Sequence, residues 1–200
     1  MPLHTIAGVK AFLMVTDIVT ARDNFIASLI LATDQKCKSY CKKDFELTTY
    51  TNQKLDGTGT NHLLLPQYPI DSISSIYDDI NRDWGSNTLL SVDDYIYDSA
   101  SGIITLTDGS VFTKGDKNIK ITYSSGYTSI PDDLVLSCEM FTAYMYKQSD
   151  YGGSRFGKQS SNSLDGNINL YQKIIPDEIK DVWDLYKRQD TFYLWNILYQ

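Results

Sequence analysis

NIKITYSSGYTSIPDDLVLSCEMFTAYMYK, residues 118–147, is the stretch on which the fold turns. Ile119, Ile121 and Tyr123 alternate with Lys120 and Thr122, the two-residue period of a half-buried strand. Gly126-Tyr127 then marks a tight turn, and Ile130-Pro131 opens a helix. Proline at the first helical position gives up only an N–H that has no partner there, and Asp132 and Asp133 set negative charge at the positive end of the helix dipole. Leu134, Val135, Cys138, Phe141, Thr142 and Met145 follow at three- and four-residue steps as one apolar stripe. A strand that feeds a helix through a short, rigid turn predicts a joint between a β region and a helical region.

Working outward, the N-terminal side reads as helical. Thr5 is a fitting N-cap for a short helix with Ile6, Val9, Phe12 and Leu13 on one face. After a break at Asp17–Thr20, a longer helix over about Ala21 to Lys43 carries Phe25, Ile26, Leu29, Ile30, Thr33, Cys37, Tyr40 and Cys41 as its apolar stripe. Arg22, Asp34, Lys36, Lys38, Lys42 and Lys43 fall mostly off that stripe. From Phe45 the pattern changes. Short strands are expected at Glu46–Leu55, His62–Leu65, Ile70–Tyr77, Thr88–Tyr97, Gly102–Leu106 and Asn118–Tyr123, with a hairpin turn at Asp56-Gly57-Thr58-Gly59 and a polar tip at Asp78–Asn87. Beyond the Pro131 helix, Gln148–Asn167 is a Gly/Ser/Asn-rich loop, and a last helix near Pro176 carries Ile175, Ile179, Val182, Trp183 and Tyr186.

The fold class that results is α+β, a helical bundle from the N- and C-terminal segments with an inserted antiparallel β subdomain. The expected domains are N-terminal helices at 1–45, the β subdomain at 46–128, C-terminal helices at 129–188 with the loop at 148–167, and an apolar tail at 189–200.

Charge and chemistry narrow the function. Twenty-five acidic against 18 basic residues give a net charge of −7, which offers no electrostatic basis for binding phosphate backbones or anionic membranes. No apolar run reaches the roughly 20 residues that span a bilayer, and the first residues lack a basic, cleavable leader. Three cysteines, an odd count, fit a reducing compartment. His4 and His62 have no Cys or carboxylate neighbour at ligand spacing, and Cys37, Cys41 and Cys138 read as small buried hydrophobes, so no metal and no cofactor are expected. The Asp56–Gly59 turn lacks the residues of a phosphate or calcium loop. The pairs Asp78-Asp79 and Asp93-Asp94 are the one arrangement that a carbohydrate-acting enzyme would use. No nucleophile elbow or Ser/His/acid set accompanies them, and the chain reads as a non-enzyme. The 15 tyrosines either line half-exposed strands or supply contact surfaces for partners.

Four motifs in order carry a resemblance. They are TIAGVKAFL at Thr5–Leu13 with DNFIASLI at Asp23–Ile30, leading to Tyr40-Cys41-Lys42-Lys43-Asp44-Phe45; Thr49-Tyr50-Thr51 with Leu55-Asp56-Gly57-Thr58-Gly59 and Leu63-Leu64-Leu65-Pro66-Gln67-Tyr68-Pro69-Ile70; the Tyr123-x-x-Gly126-Tyr127-x-x-Ile130-Pro131-acid-acid-Leu134 passage ending at Ala143-Tyr144-Met145-Tyr146; and Ile175-Pro176-Asp177-Glu178-Ile179-Lys180. Together they resemble the head–tail connector (head-completion adaptor) proteins of long-tailed bacteriophages over about residues 3–188. The 148–167 loop is longer and less basic than is usual in that family, and the tail after Arg188 lies outside the likeness.

The resemblance implies a structural virion protein, made in the host bacterial cytoplasm, that forms a homo-oligomeric ring, typically of twelve copies, under the portal protein. Such a ring extends the DNA channel without specific DNA binding, meets a stopper or tail-completion protein, and involves no membrane. Another neck or tail-completion protein, mostly β, is the nearest alternative. The apolar tail is expected to dock on the portal or a neighbour through Phe192, Tyr193, Leu194, Trp195, Ile197, Leu198 and Tyr199. Trp84, Tyr151, Arg155, Phe156 and Lys158 are expected in loops that face the lumen or the adjoining ring.

Overall fold

The computed structural model describes residues 2–14, 20–149, 160–163, 166–169 and 175–188. The chain is α+β and divides into two compact units, one built from residues 1–42 and 130–188 and the other from 43–129. The second crossing between them, at Ser129/Ile130, falls inside the 118–147 stretch.

The helical unit contains α1 (Ile6–Leu13), α2 (Thr20–Cys41), α3 (Asp132–Gln148) and α4 (Asp177–Tyr186). Thr5 caps α1 by accepting the Gly8 N–H. Helix α3 starts one residue later than expected, with Pro131 as its cap residue, because Pro131 keeps an extended ψ of 136°. It is the central helix and packs on α1, α2 and α4. One end of this core joins Val9, Ile26, Ile30 and Tyr146. At the other end Trp183 of α4 is fully buried. Its indole N–H donates to Ser137 Oγ at 3.0 Å, its ring meets Phe141 edge-on at 5.3 Å, and its carbonyl accepts from Cys41. Two short strands, β7 (Ser160–Ser163) and β8 (Gly166–Asn169), pair antiparallel where a plain loop was expected.

The β unit has two three-stranded antiparallel sheets that share one core. The first has the order β1 (Thr48–Gly57), β6 (Gly115–Ser125), β3 (Ile70–Asp78), with β6 in the middle. Ile119, Ile121 and Tyr123 of β6 are buried, with half-exposed Lys120 and Thr122 between them, as the alternation predicts. Both flanking strands break register against β6, β1 between Tyr50 and Gln53 and β3 between Ile73 and Ser75. The second sheet has the order β2 (His62–Leu64), β5 (Ile103–Leu106), β4 (Tyr95–Asp98).

Two local expectations are corrected. The Asp56–Gly59 turn is not a hairpin: it carries the chain from β1 in one sheet to β2 in the other, held by Asp56 accepting the Lys117 N–H and by Gly59 donating to Phe112. Thr88–Tyr97 is not one strand. Two 3-10 turns, Ser86–Thr88 and Val92–Asp94, precede β4. Ser91 and Asp94 form a reciprocal capping box that satisfies backbone N–H groups locally, which outcompetes the strand reading of Leu89, Leu90 and Val92.

Gly126 ends β6 at φ +114°, a region that L side chains rarely adopt. A Cβ there would stand 2.4 Å from the Glu46 carbonyl oxygen. Tyr127 N–H donates to Phe45, Gly126 N–H donates to Pro69, and Tyr127 bridges Glu46 in parallel. The chain that enters the β unit is thus fastened to the chain that leaves it.

Trp183→Ala should lower stability by about 3–5 kcal/mol, since it empties a fully buried site and removes the hydrogen bond that Ser137 Oγ accepts, whereas Trp183→Phe should cost about half as much. Urea denaturation followed by circular dichroism measures both.

Candidate functional site

The tip of the β1–β6–β3 sheet presents the most organised polar surface of the β unit. Beyond β3 the backbone turns sharply, with Arg82 and Trp84 in the left-handed region at φ 64° and 57°. Asp79 holds that turn. Its carboxylate accepts the N–H of Asn81 at 2.9 Å and of Trp84 at 2.7 Å. Burial works against its ionisation, but the surrounding backbone N–H groups, Trp84 first, prevail and hold its carboxyl below the ordinary value of 3.8.

The half-buried Trp84 ring faces two cations, Lys120 Nζ at 5.0 Å and Lys54 Nζ at 5.8 Å, and Lys120 also lies 4.1 Å above the Tyr77 ring. Arg82 donates to the Asp116 carbonyl. Aromatic faces with attached cations suit contact with an acidic or carbonyl-rich partner surface. Of the residues expected in such loops, Trp84 alone is described; Tyr151, Arg155, Phe156 and Lys158 lie outside the described residues, as do the tail residues Phe192 to Tyr199.

The second sheet exposes apolar groups along one edge. Strand β4 is an edge strand, and Ile96 is 63% and nearby Val92 73% exposed. Tyr97 beside them is also exposed. Such an edge offers both unpaired backbone groups and apolar contact area to another chain.

The acidic pairs serve the backbone. Asp78 accepts the Thr113 N–H, Asp79 closes the tip, and Asp94 completes the capping box, with the Asp93 carbonyl accepting from Thr107. His62 is a strand residue whose Nδ1 meets Thr105 Oγ1 at 2.9 Å.

The helical unit holds a buried polar cluster that short-range spacing does not reveal. His4 Nδ1 lies 3.0 Å from Asp34 Oδ1, and His4 Nε2 lies 2.8 Å from Thr142 Oγ1. Asp34 Oδ2 accepts the Leu3 N–H, and Thr142 donates onward to Thr33. Ligand atoms of His4, Asp34 and Cys138 all lie within 4.8 Å of one another. Asp34 is therefore on the buried side of α2, not off the stripe as expected. All three cysteines are buried free thiols. Hydrogen bonding with Cys138 and Cys41, then burial, pushes the Cys37 thiol far up, so it stays protonated. The one sequence signal of this cluster is that Asp34 stands four residues after Ile30 and three before Cys37, a carboxylate in step with the core.

The chain shares its fold with chains of solved particle structures. Solved structures described as the virion of a native gene transfer agent (GTA) particle and the neck of an empty GTA particle computed with C6 symmetry align at TM-scores of 0.59 and 0.56, each with 14% identity over 96% of this chain and 91% of theirs. The neck of a native GTA particle computed with C12 symmetry aligns at 0.53, with 13% identity over 93% and 89%. No curated protein matches the chain. The family model described as Head completion protein matches residues 2–189, and the chain belongs to that family. It is a structural subunit of the connection between head and tail.

The Asp79 turn makes stability pH-dependent in one direction. A carboxyl held below its ordinary 3.8 contributes stability in full above about pH 4 and loses it as pH falls through the lowered value. The stability gap between the wild type and Asp79→Asn should be constant from about pH 7 to about pH 5 and shrink below about pH 4, as measured by urea titration at each pH.

Proposed function

We propose that the chain works as a closed homo-oligomeric ring of twelve copies at the head–tail interface of the virion. The ring sits under the portal protein, extends the DNA channel and carries a stopper or tail-completion protein on its far side. The family match over residues 2–189 carries this reading. The necks with which the chain shares its fold are described with C6 and C12 symmetry, which supports a ring of this order. The net charge of −7 suits a conduit along which DNA moves without sticking. The role is non-catalytic and needs no cofactor, and assembly takes place in the host bacterial cytoplasm. A mostly β stopper is the poorer account, because helices of 8, 22, 17 and 10 residues make up one of the two units.

A ring subunit must bury two different sides against its neighbours, a heterologous contact that closes. The β4 edge with Val92, Ile96 and Tyr97 is one of these sides, and its occupant is the next copy. Trp84 and the 148–167 loop, with Tyr151, Arg155, Phe156 and Lys158, face the lumen or the adjoining ring. The tail, from Phe192 to Tyr199, docks on the portal.

Ile96→Asp should weaken self-association at least about tenfold, equivalent to ~1.4 kcal/mol, with an unchanged circular dichroism spectrum. Mass photometry and negative-stain images, with and without portal, read the outcome; rings that persist at wild-type concentrations would remove β4 from the interface. Deleting residues 190–200 should abolish head attachment in an assembly assay and leave the fold intact, while unchanged attachment would sink the docking role of the tail.

A further inference from the structure

We propose that the helical unit binds a divalent transition-metal ion of the zinc type through His4 Nδ1, an Asp34 carboxylate oxygen and Cys138 Sγ. Nothing in the connector role calls for this site. It rests on hydrogen-bond bookkeeping in a closed space. Thr142 gives its hydroxyl proton to Thr33, and Thr33 gives its own to Met145 Sδ. Thr142 Oγ1 must therefore accept from His4, which places a proton on Nε2. Nδ1 is left facing Asp34 Oδ1 across 3.0 Å. With the His4 side chain 0% and the Asp34 side chain 10% exposed, an imidazole lone pair and a carboxylate oxygen do not face each other there without a cation between them.

That cation is a proton or a metal ion, and the surroundings favour the metal. A metal-bound histidine ordinarily donates its other ring N–H to a fixed acceptor, and Thr142 is such an acceptor. The free oxygen of Asp34 is likewise fixed by the Leu3 N–H. Cys138 Sγ completes a set of three donor types within 4.8 Å. Tetrahedral zinc holds nitrogen and oxygen at about 2.0 Å and sulfur at about 2.3 Å, so its ligands stand about 3.5 Å apart, a spacing this cluster reaches by small side-chain shifts. The Cys37 thiol, in hydrogen-bond contact with Cys138, is placed to donate to a Cys138 thiolate. Imidazole, carboxylate and thiol together select zinc or cobalt over the hard cations calcium and magnesium. The donors come from the segment before α1, from α2 and from α3, so the ion would fasten three parts of the helical unit at one point.

Because the site is closed, the full-length protein is unfolded with chelator and refolded with Co²⁺, with Zn²⁺ or with neither. The expected result is one Co²⁺ per chain with tetrahedral visible bands and a thiolate-to-metal charge-transfer band, and a higher melting temperature with either ion. Cys138→Ser should remove the charge-transfer band, and His4→Gln should weaken binding at least about tenfold. Cys41→Ser, whose thiol donates to the Trp183 carbonyl, should leave both unchanged. Refolded wild type with no band and no melting shift overturns the proposal, the pair then holding a proton. A cobalt spectrum that lacks the thiolate band, or keeps it in Cys138→Ser, overturns it too, since the ion then sits elsewhere.

Discussion

The fastening of Phe45, Glu46 and Pro69 to Gly126 and Tyr127 is the constraint on which the rest of this architecture depends. A unit inserted between the second and third helices has to return the chain near where it left. Main-chain hydrogen bonds do this here, and they require backbone to approach backbone more closely than any residue with a Cβ allows. The same passage supplies the middle strand of one sheet and leads directly into the middle helix of the other unit. Each unit is thus organised around a piece of residues 118–147.

The buried polar groups divide into two kinds. Asn118 in the β unit is satisfied by fixed backbone partners, accepting from Gly57 and donating to Thr113, and so sets the register at the start of β6. The His4–Asp34–Thr142–Thr33 chain in the helical unit is made of side chains from distant parts of the sequence. Breaking one member leaves another buried without a partner, a loss of about 3–5 kcal/mol where a charge is stranded. Such a chain specifies one packing of the segment before α1 against α2 and α3 with a precision that apolar contacts alone do not give.

What could be read from the residues followed the range of the interactions. Thr5 as a cap, the α2 and α3 stripes and the alternation in β6 are local patterns that burial obeys. The 88–97 segment misled because Leu89, Leu90 and Val92 imitate a strand while Ser91 and Asp94 compete for the backbone. The Asp56–Gly59 turn has hairpin composition, but which strands pair is decided by partners about sixty residues away, at Gly115 to Ser125. The Trp84 tip was legible as a polar loop; its lysine partners, 30 and 36 positions away in β1 and β6, were not. The His4 cluster was least legible of all, since its members are separated by 30 and 138 residues. For the neck role, four weak motifs in order carried more than any single residue did.

The register breaks in β1 and β3 bear on how such a protein survives before it assembles. Both strands flank the middle strand of their sheet, β1 as an open edge and β3 as one partly covered where Tyr77 bridges Leu89 and Ile76 accepts from Leu90, and a straight edge invites a stranger's strand. An extra residue on each side twists those edges away from flat pairing, and Asn52, in left-handed backbone at φ 52°, sits within the β1 break. Strand β4 has no such interruption in its four paired residues. A subunit made in many copies in a crowded cell would in this way be closed to promiscuous growth on both sides of the first sheet and left receptive on the second. Its defence against aggregation and its choice of partner would then be two outcomes of the same backbone irregularity.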